Sequence, residues 1–237
     1  IQILLGVYMS IGSSRSKLED GIKFFRNENY KEAIDSLEKI FSEKNDVESG
    51  YHLALAYAQI QDYDNTLQVF DKIMRRLDNP LRLMQAHIIV GYIYAVKEMY
   101  DLAEFELIDA LSSGVENTQI HAALGYVYYK KGNIRKAIEH LKKAVALDPN
   151  SANARNSLGF ILADTETNVD EGIEEIKKAL AIDPNNPAYL DSLGWAFLKK
   201  SDFERAKEFL TKAFELAPAN IDIKEHLLKL DKASYRK

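Results

Sequence analysis

The sequence predicts an all-α chain built from repeated antiparallel helix pairs, and three observations carry that prediction. A small residue recurs along the chain at Gly21, Ala54, Gly91, Gly125, Gly159 and Gly194, at separations of 33, 37, 34, 34 and 35 residues. Around each of these the apolar residues recur at three and four places, the period of a helix face. Proline-containing segments, "DPN" at 148–150 and "DPNNP" at 183–187, close one unit and open the next. Proline cannot continue a helix interior but fits its first turn. A self-similar period of this length marks a stacked repeat rather than a single globular core.

Taken in order, the units share one series. Gly125 is preceded by Leu124 and followed by Tyr128, Ala137, Leu141, Ala144 and Pro149. Gly194 repeats it with Leu193, Phe197, Ala206, Leu210, Ala213 and Pro218. Gly91 gives Val90, Tyr94, Ala103, Leu107 and Ala110. Gly159 gives Leu158, Leu162, Gly172, Ile176, Ala179 and Pro184, with one residue inserted before Gly172. The first two units diverge, as Asp20, Gly21, Phe24, Ala33, Leu37, Ile40 and as Leu53, Ala54, Tyr57, Thr66, Phe70, Ile73. Each unit reads as two helices joined by a short polar turn such as "KKGN" at 130–133. Glycine costs a helix about 1 kcal/mol, so its recurrence at one place indicates that two helices cross closely there. The expected organisation is an apolar segment at 1–13, units at 14–46, 47–80, 84–117, 118–151, 152–186 and 187–220, and a last helix with tail at 221–237. The 37-residue step lies in "KIMRRLDNPLRLM", 72–84. Its extra residues lengthen a turn near Asn79-Pro80, followed either by regular stacking or by a change of angle.

This pattern resembles the tetratricopeptide repeat (TPR), over residues 14–218. It matches the family closely in the last three units and departs from it in the first two, where Asp20 replaces a core leucine and Asn45 and Asp78 stand where proline is usual. The resemblance implies an α-solenoid, a right-handed superhelix of antiparallel helix pairs with a concave inner face. It also implies that 221–235 is a capping helix covering the exposed edge of the array. Stacking is independently expected, since one helix pair cannot bury its own apolar face.

Composition narrows the function. The 237 residues are 46% hydrophobic and 28% charged, the balance of a folded chain. A net charge of −5 argues against nucleic acid as the main partner, which needs a basic stripe. There is no cysteine, so disulfides and thiolate metal sites are excluded. No nucleotide-binding, zinc-hydrolase, nucleophile-elbow or calcium-loop motif occurs, so neither an enzyme nor a cofactor or metal is expected. His87 and His121 stand at equivalent places four before Gly91 and Gly125, and are read as structural. The opening "IQILLGVYMSIG" is too short to span a bilayer, which takes about 20 apolar residues. It reads as a helix packed on the first unit, or as the remnant of a signal or anchor.

The binding face follows from helix geometry. Each residue advances about 100°, so Leu190, Leu193, Gly194 and Phe197 form one core stripe and Trp195 points roughly 150° away from it. In TPR proteins the place after the glycine lines the concave groove. Here it holds Tyr92, Tyr126, Phe160 and Trp195 in four successive units. Neighbouring groove places add Phe25, Tyr51, Tyr129, Asn153, Asn156, Asp191 and Lys199. Asn156 and Lys199 are isolated among apolar groove places, so no clamp for a partner's terminal carboxylate is expected. Aromatic and amide side chains suit a peptide or partner helix with apolar anchors. The leading expectation is therefore a non-catalytic scaffold or adaptor binding a protein or peptide, with no small-molecule substrate. Two others stand beside it. One is an assembly protein that self-associates or joins a membrane-bound complex through its N-terminal segment. The other is an accessory domain of a larger enzyme or secretion machine.

Overall fold

The computed structural model describes residues 17–112, 114 and 117–234, so the apolar segment 1–13 lies outside the described residues. The regular structure of the described residues is all helical, and none of their helices is long and apolar enough to cross a membrane. The chain divides into two compact units, Ile1–Gly114 and Val115–Lys237.

In the first unit, α1 (residues 17–26) pairs with α2 (Tyr30–Lys44), α3 (Val47–Gln59) with α4 (Tyr63–Ile73), and α5 (Pro80–Val96) with α6 (Tyr100–Ser112). In the second, α7 (Thr118–Lys130) pairs with α8 (Ile134–Leu147), α9 (Ala152–Asp164) with α10 (Val169–Ile182), and α11 (Pro187–Lys199) with α12 (Phe203–Leu216). A final helix, α13 (Ile221–Ser234), packs on α12 and more lightly on α11. Within this unit the first helices touch in succession, α7 with α9, α9 with α11 and α11 with α13, and so form its inner side.

Sequence fixes the helix starts. Asp62, Asn133, Asn168 and Asp202 each accept a hydrogen bond from a backbone N–H in the first turn of α4, α8, α10 and α12. Such a cap stabilises a helix by about 1 kcal/mol. Pro80 and Pro187 open α5 and α11 behind Asn79 and Asn186 caps.

The recurring glycines sit where the paired helices cross. A Cβ on Gly125 would lie 2.5 Å from Leu141 Cγ, and one on Gly159 would lie 2.5 Å from the backbone oxygen of Gly172. Between the helices of each pair the chain passes through a left-handed residue at one fixed place: Glu28, Gln61, Glu98, Gly132, Glu166 and Ser201. Only one of these is glycine, the residue that tolerates this conformation without strain.

The extra residues of the 37-residue step form a 3₁₀ turn, Met74–Arg76, and lengthen α5 to 17 residues against 13 for α3, α7, α9 and α11. The packing of α4 on α5 is thinner than that of α2 on α3. Arg76 from this segment bonds the Asn45 carbonyl oxygen, and Arg82 pairs with Glu48 while lying 4.9 Å from the Tyr51 ring centroid. That ion pair holds the Glu48 carboxyl below its ordinary range.

Candidate functional site

The expected groove residues divide into those the chain leaves open and those it closes with its own side chains. In the first unit, Tyr92 of α5 is 56% exposed and meets Tyr63 edge-on, with ring centroids 6.5 Å apart. Val96, one turn further on, is also exposed. Phe25 is half-buried against Tyr30 and His52, each at 5.8 Å. Tyr51 is buried, and its hydroxyl donates to Gln85 Oε1 at 2.6 Å. Burial raises the Tyr51 phenol above its ordinary value.

In the second unit, Tyr126 of α7 is 45% exposed, and Phe160 of α9 is half-buried with its ring edge-on to Tyr129 at 6.3 Å. The rest form a network across the inner side. Asp164, at the end of α9, accepts from Tyr129 Oη at 2.5 Å and from Trp195 Nε1 at 2.9 Å. One carboxylate thus joins α7, α9 and α11. Burial, reinforced by Asp164, pushes the Tyr129 phenol well above its ordinary value. Lys199 pairs with Glu166 at 3.2 Å and lies over the Trp195 ring. Asn153 Oδ1 accepts from Tyr189 Oη at 2.5 Å. Asn156 Oδ1 is buried and has no hydrogen-bond partner.

The expectation that Trp195 stands open to a ligand does not hold here. Trp195 is not part of the core cluster that holds Leu193, Ala196 and Phe197. It is nonetheless only 9% exposed, because His226 of α13 stacks on it at 4.2 Å. The same imidazole reaches both oxygens of Asp191, at 2.9 and 3.0 Å, and Asp191 is buried with it. Tyr51, Asp191 and Trp195 are therefore closed by contacts from the next helices of the chain.

The sequence reading placed His87 and His121 at equivalent positions but missed their partners. Where the two helices of a pair face each other, His87 bonds Glu106 at 2.7 Å, His121 bonds His140 at 2.9 Å and Arg155 bonds Glu175 at 2.5 Å. These are equivalent places in three successive repeats, and the 19-residue offset between His87 and Glu106 and between His121 and His140 is the signal that would have found the partners. Burial, with the neighbouring His121, depresses His140. Burial alone would raise the Glu175 carboxyl, but hydrogen bonds from Lys178 and Arg155 outweigh it and hold it low. These pairs are internal joints, and among the described residues no group of side chains is arranged to hold a metal ion.

Comparison with known proteins agrees with this architecture. A TPR repeat model matches residues 117–165, and a tetratricopeptide repeat model matches residues 188–220. The BBSome complex member BBS4 of Bos taurus is 31% identical over 99 residues, 40% of this chain and 19% of BBS4. The chain spans no more than about a fifth of the length of the curated relatives it matches. Among solved structures, YrrB, described as a TPR protein with an unusual peptide-binding site, is 27% identical with a TM-score of 0.59, over 81% of this chain and 98% of YrrB. The pilF protein of Pseudomonas aeruginosa is 14% identical with a TM-score of 0.71, over 92% of this chain and 98% of that one, and shares the fold. The recurring helix crossings, the fixed turn geometry and these matches together make the chain a tetratricopeptide-repeat protein.

Proposed function

We propose that this protein-interaction scaffold is non-catalytic and holds a peptide or partner helix against the inner, first-helix side of its repeats. The observation that carries the reading is made within the second unit: Tyr126 is exposed at the same place after the core glycine where the chain covers Trp195 itself. Tyr92 holds that place in the first unit and is exposed there as well. A tyrosine offers a large rigid apolar face and a hydroxyl for orientation, which suits peptide recognition. Trp195 and Asp191 act in this reading as the closed end of the surface, beneath α13.

A random peptide library displayed on phage, panned against the full chain, tests it. Selected peptides should bind wild type at least tenfold tighter than the Tyr92→Ala/Tyr126→Ala variant. Both rings are about half exposed, so the variant should keep its far-UV melting curve within a few degrees. Peptides that bind both proteins equally would remove the inner side as the site.

A further inference from the structure

The closed end of the inner side is held by one imidazole that meets two groups at once. Asp191 and Trp195 stand four residues apart on α11, so they share a face of that helix. His226 of α13 lies flat on the Trp195 ring, with centroids 4.2 Å and planes 22° apart. Its Nδ1 also lies 2.9 and 3.0 Å from the two Asp191 oxygens. Asp191 is the one carboxylate three places before the core glycine or alanine, where the other five units carry Leu18, Tyr51, Ile88, Ala122 and Asn156. A buried carboxylate destabilises a fold unless it is paired, and the side chain that pairs this one comes from the last helix.

The first unit builds the same kind of joint with arginine. Glu48 and Tyr51 stand three apart on α3, and Arg82 of α5 meets both. Its guanidinium pairs with Glu48 through both terminal nitrogens and lies 4.9 Å from the Tyr51 ring centroid. In each unit, then, a carboxylate and a ring on one helix receive a planar side chain with N–H donors from the helix two further on. A guanidinium suits such a pair well. Its plane stacks on an aromatic face while its forked donors match both oxygens of a carboxylate. Tryptophan is a better ring for this contact than tyrosine.

The helix that supplies His226 is lightly held. α13 packs on α11 and α12, whereas α11 is gripped by α9, α10, α12 and α13. Ile223 and Leu230 are its buried residues, while Ile221 and Leu228 stand in water. Elements with few buried apolar contacts are the first to open. Trp195 keeps its place without α13, because Asp164 of α9 holds its Nε1 at 2.9 Å. Lys199, beside the ring, keeps its own acceptor in Glu166 at 3.2 Å. Lys229, which reaches the ring from α13 at 5.0 Å, leaves with His226. What remains is a fixed indole with a carboxylate on the same face, now without its imidazole.

We propose that Asp191 and Trp195 form a subsite for an arginine side chain of the peptide partner, and that His226 fills this subsite until the arginine displaces it. The peptide runs along the inner side past Tyr126 and Phe160 to this end, which rests on the inner-side reading and adds a required residue to it. α13 is then an internal competitor, and a ligand carrying arginine opens the closed end. A lysine could meet Asp191 as a point charge but has no plane to lay on the indole.

Isothermal titration calorimetry of Nα-acetyl-arginine amide with the full chain tests the subsite apart from any peptide. The control is Nα-acetyl-citrulline amide, which has the same shape and no charge. In His226→Ala, which empties the seat, the arginine amide should bind at least tenfold tighter than the citrulline amide. It should also bind this variant at least tenfold tighter than wild type, where His226 competes. Adding Asp191→Asn should bring the two amides within twofold of each other. If His226→Ala folds poorly, His226→Arg and His226→Lys take its place. The arginine variant should melt within a few degrees of wild type, and the lysine variant clearly lower. Amides that bind alike, a preference that survives Asp191→Asn, or a lysine variant as stable as the arginine one overturns the proposal. The inner-side reading fails separately. Phage-selected peptides that need Tyr126 but not Asp191 leave that reading standing and remove the arginine subsite. Saturable arginine binding, with no selected peptide weakened by the tyrosine substitutions, does the reverse.

Discussion

Replacing Asp164 with alanine should weaken the second unit more than any other change to an inner-side polar residue. The wild-type carboxylate accepts from Tyr129 Oη and Trp195 Nε1 and so holds α7 and α11 to the end of α9. A hydrogen bond to an ionised acceptor contributes about 1.5–3 kcal/mol. The Asp164 side chain is 23% exposed, which favours the lower end of that range for each of the two bonds. Lys199 at 4.0 Å adds little at this exposure. The expected loss is about 3 kcal/mol, on the order of 10 °C in melting temperature for a unit of this size. Asp164→Asn keeps an acceptor and should lose only about 1 kcal/mol. Urea unfolding at 222 nm measures both, and a double-mutant cycle of Tyr129→Phe with Asp164→Ala isolates the phenol–carboxylate bond. The Tyr129 titration, followed at 295 nm, gives an independent check. It should move down in Asp164→Ala yet stay above an ordinary tyrosine, because burial remains the larger cause. A loss under about 1 kcal/mol together with an additive cycle would show that Asp164 does not tie the repeats together.

Two more outcomes follow from local chemistry. His140 is depressed by burial and by His121, so the folded state favours its neutral form and the associated stability is present above the ordinary histidine value of 6.5. That stability is lost as pH falls through the lower folded value, with Lys136 and Lys143 adding to the depression and Glu139 opposing it. The urea midpoint should therefore be lower at pH 5 than at pH 7.5, by a smaller margin in His140→Gln. At the left-handed turn places, Glu28→Gly, Gln61→Gly and Glu98→Gly should each raise stability by up to about 1 kcal/mol, because glycine adopts this backbone without strain. Gly132→Ala should lower it by a similar amount, all read as shifts in urea midpoint.

The fold was legible because packing repeats itself in residue type. Gly91, Gly125, Gly159 and Gly194 recur where a side chain would collide with the partner helix, so the register could be counted from the sequence. The turns were less legible. Their left-handed residue sits at one place in all six repeats, yet only Gly132 declares it. That Trp195 would stand outside the cluster of Leu193 and Phe197 could be argued from helix geometry, but its burial could not. The ring that covers it belongs to His226, in a helix lacking the glycine register. Asp164 was missed for a related reason. Its partners are 35 residues before and 31 residues after it, and hydrogen bonds of that kind repeat in geometry without repeating in residue type.

The stacking of His226 on Trp195 also gives the molecule a built-in optical reporter. Trp195 is the only tryptophan in the chain, so indole emission arises from one spot, where α9, α11 and α13 meet. Melting of the first unit is silent in that channel. Detachment of the last helix is not, because it removes the imidazole from the ring and admits water to it. Comparing tryptophan emission with far-UV ellipticity during unfolding therefore tells from which end the array comes apart, with no label added.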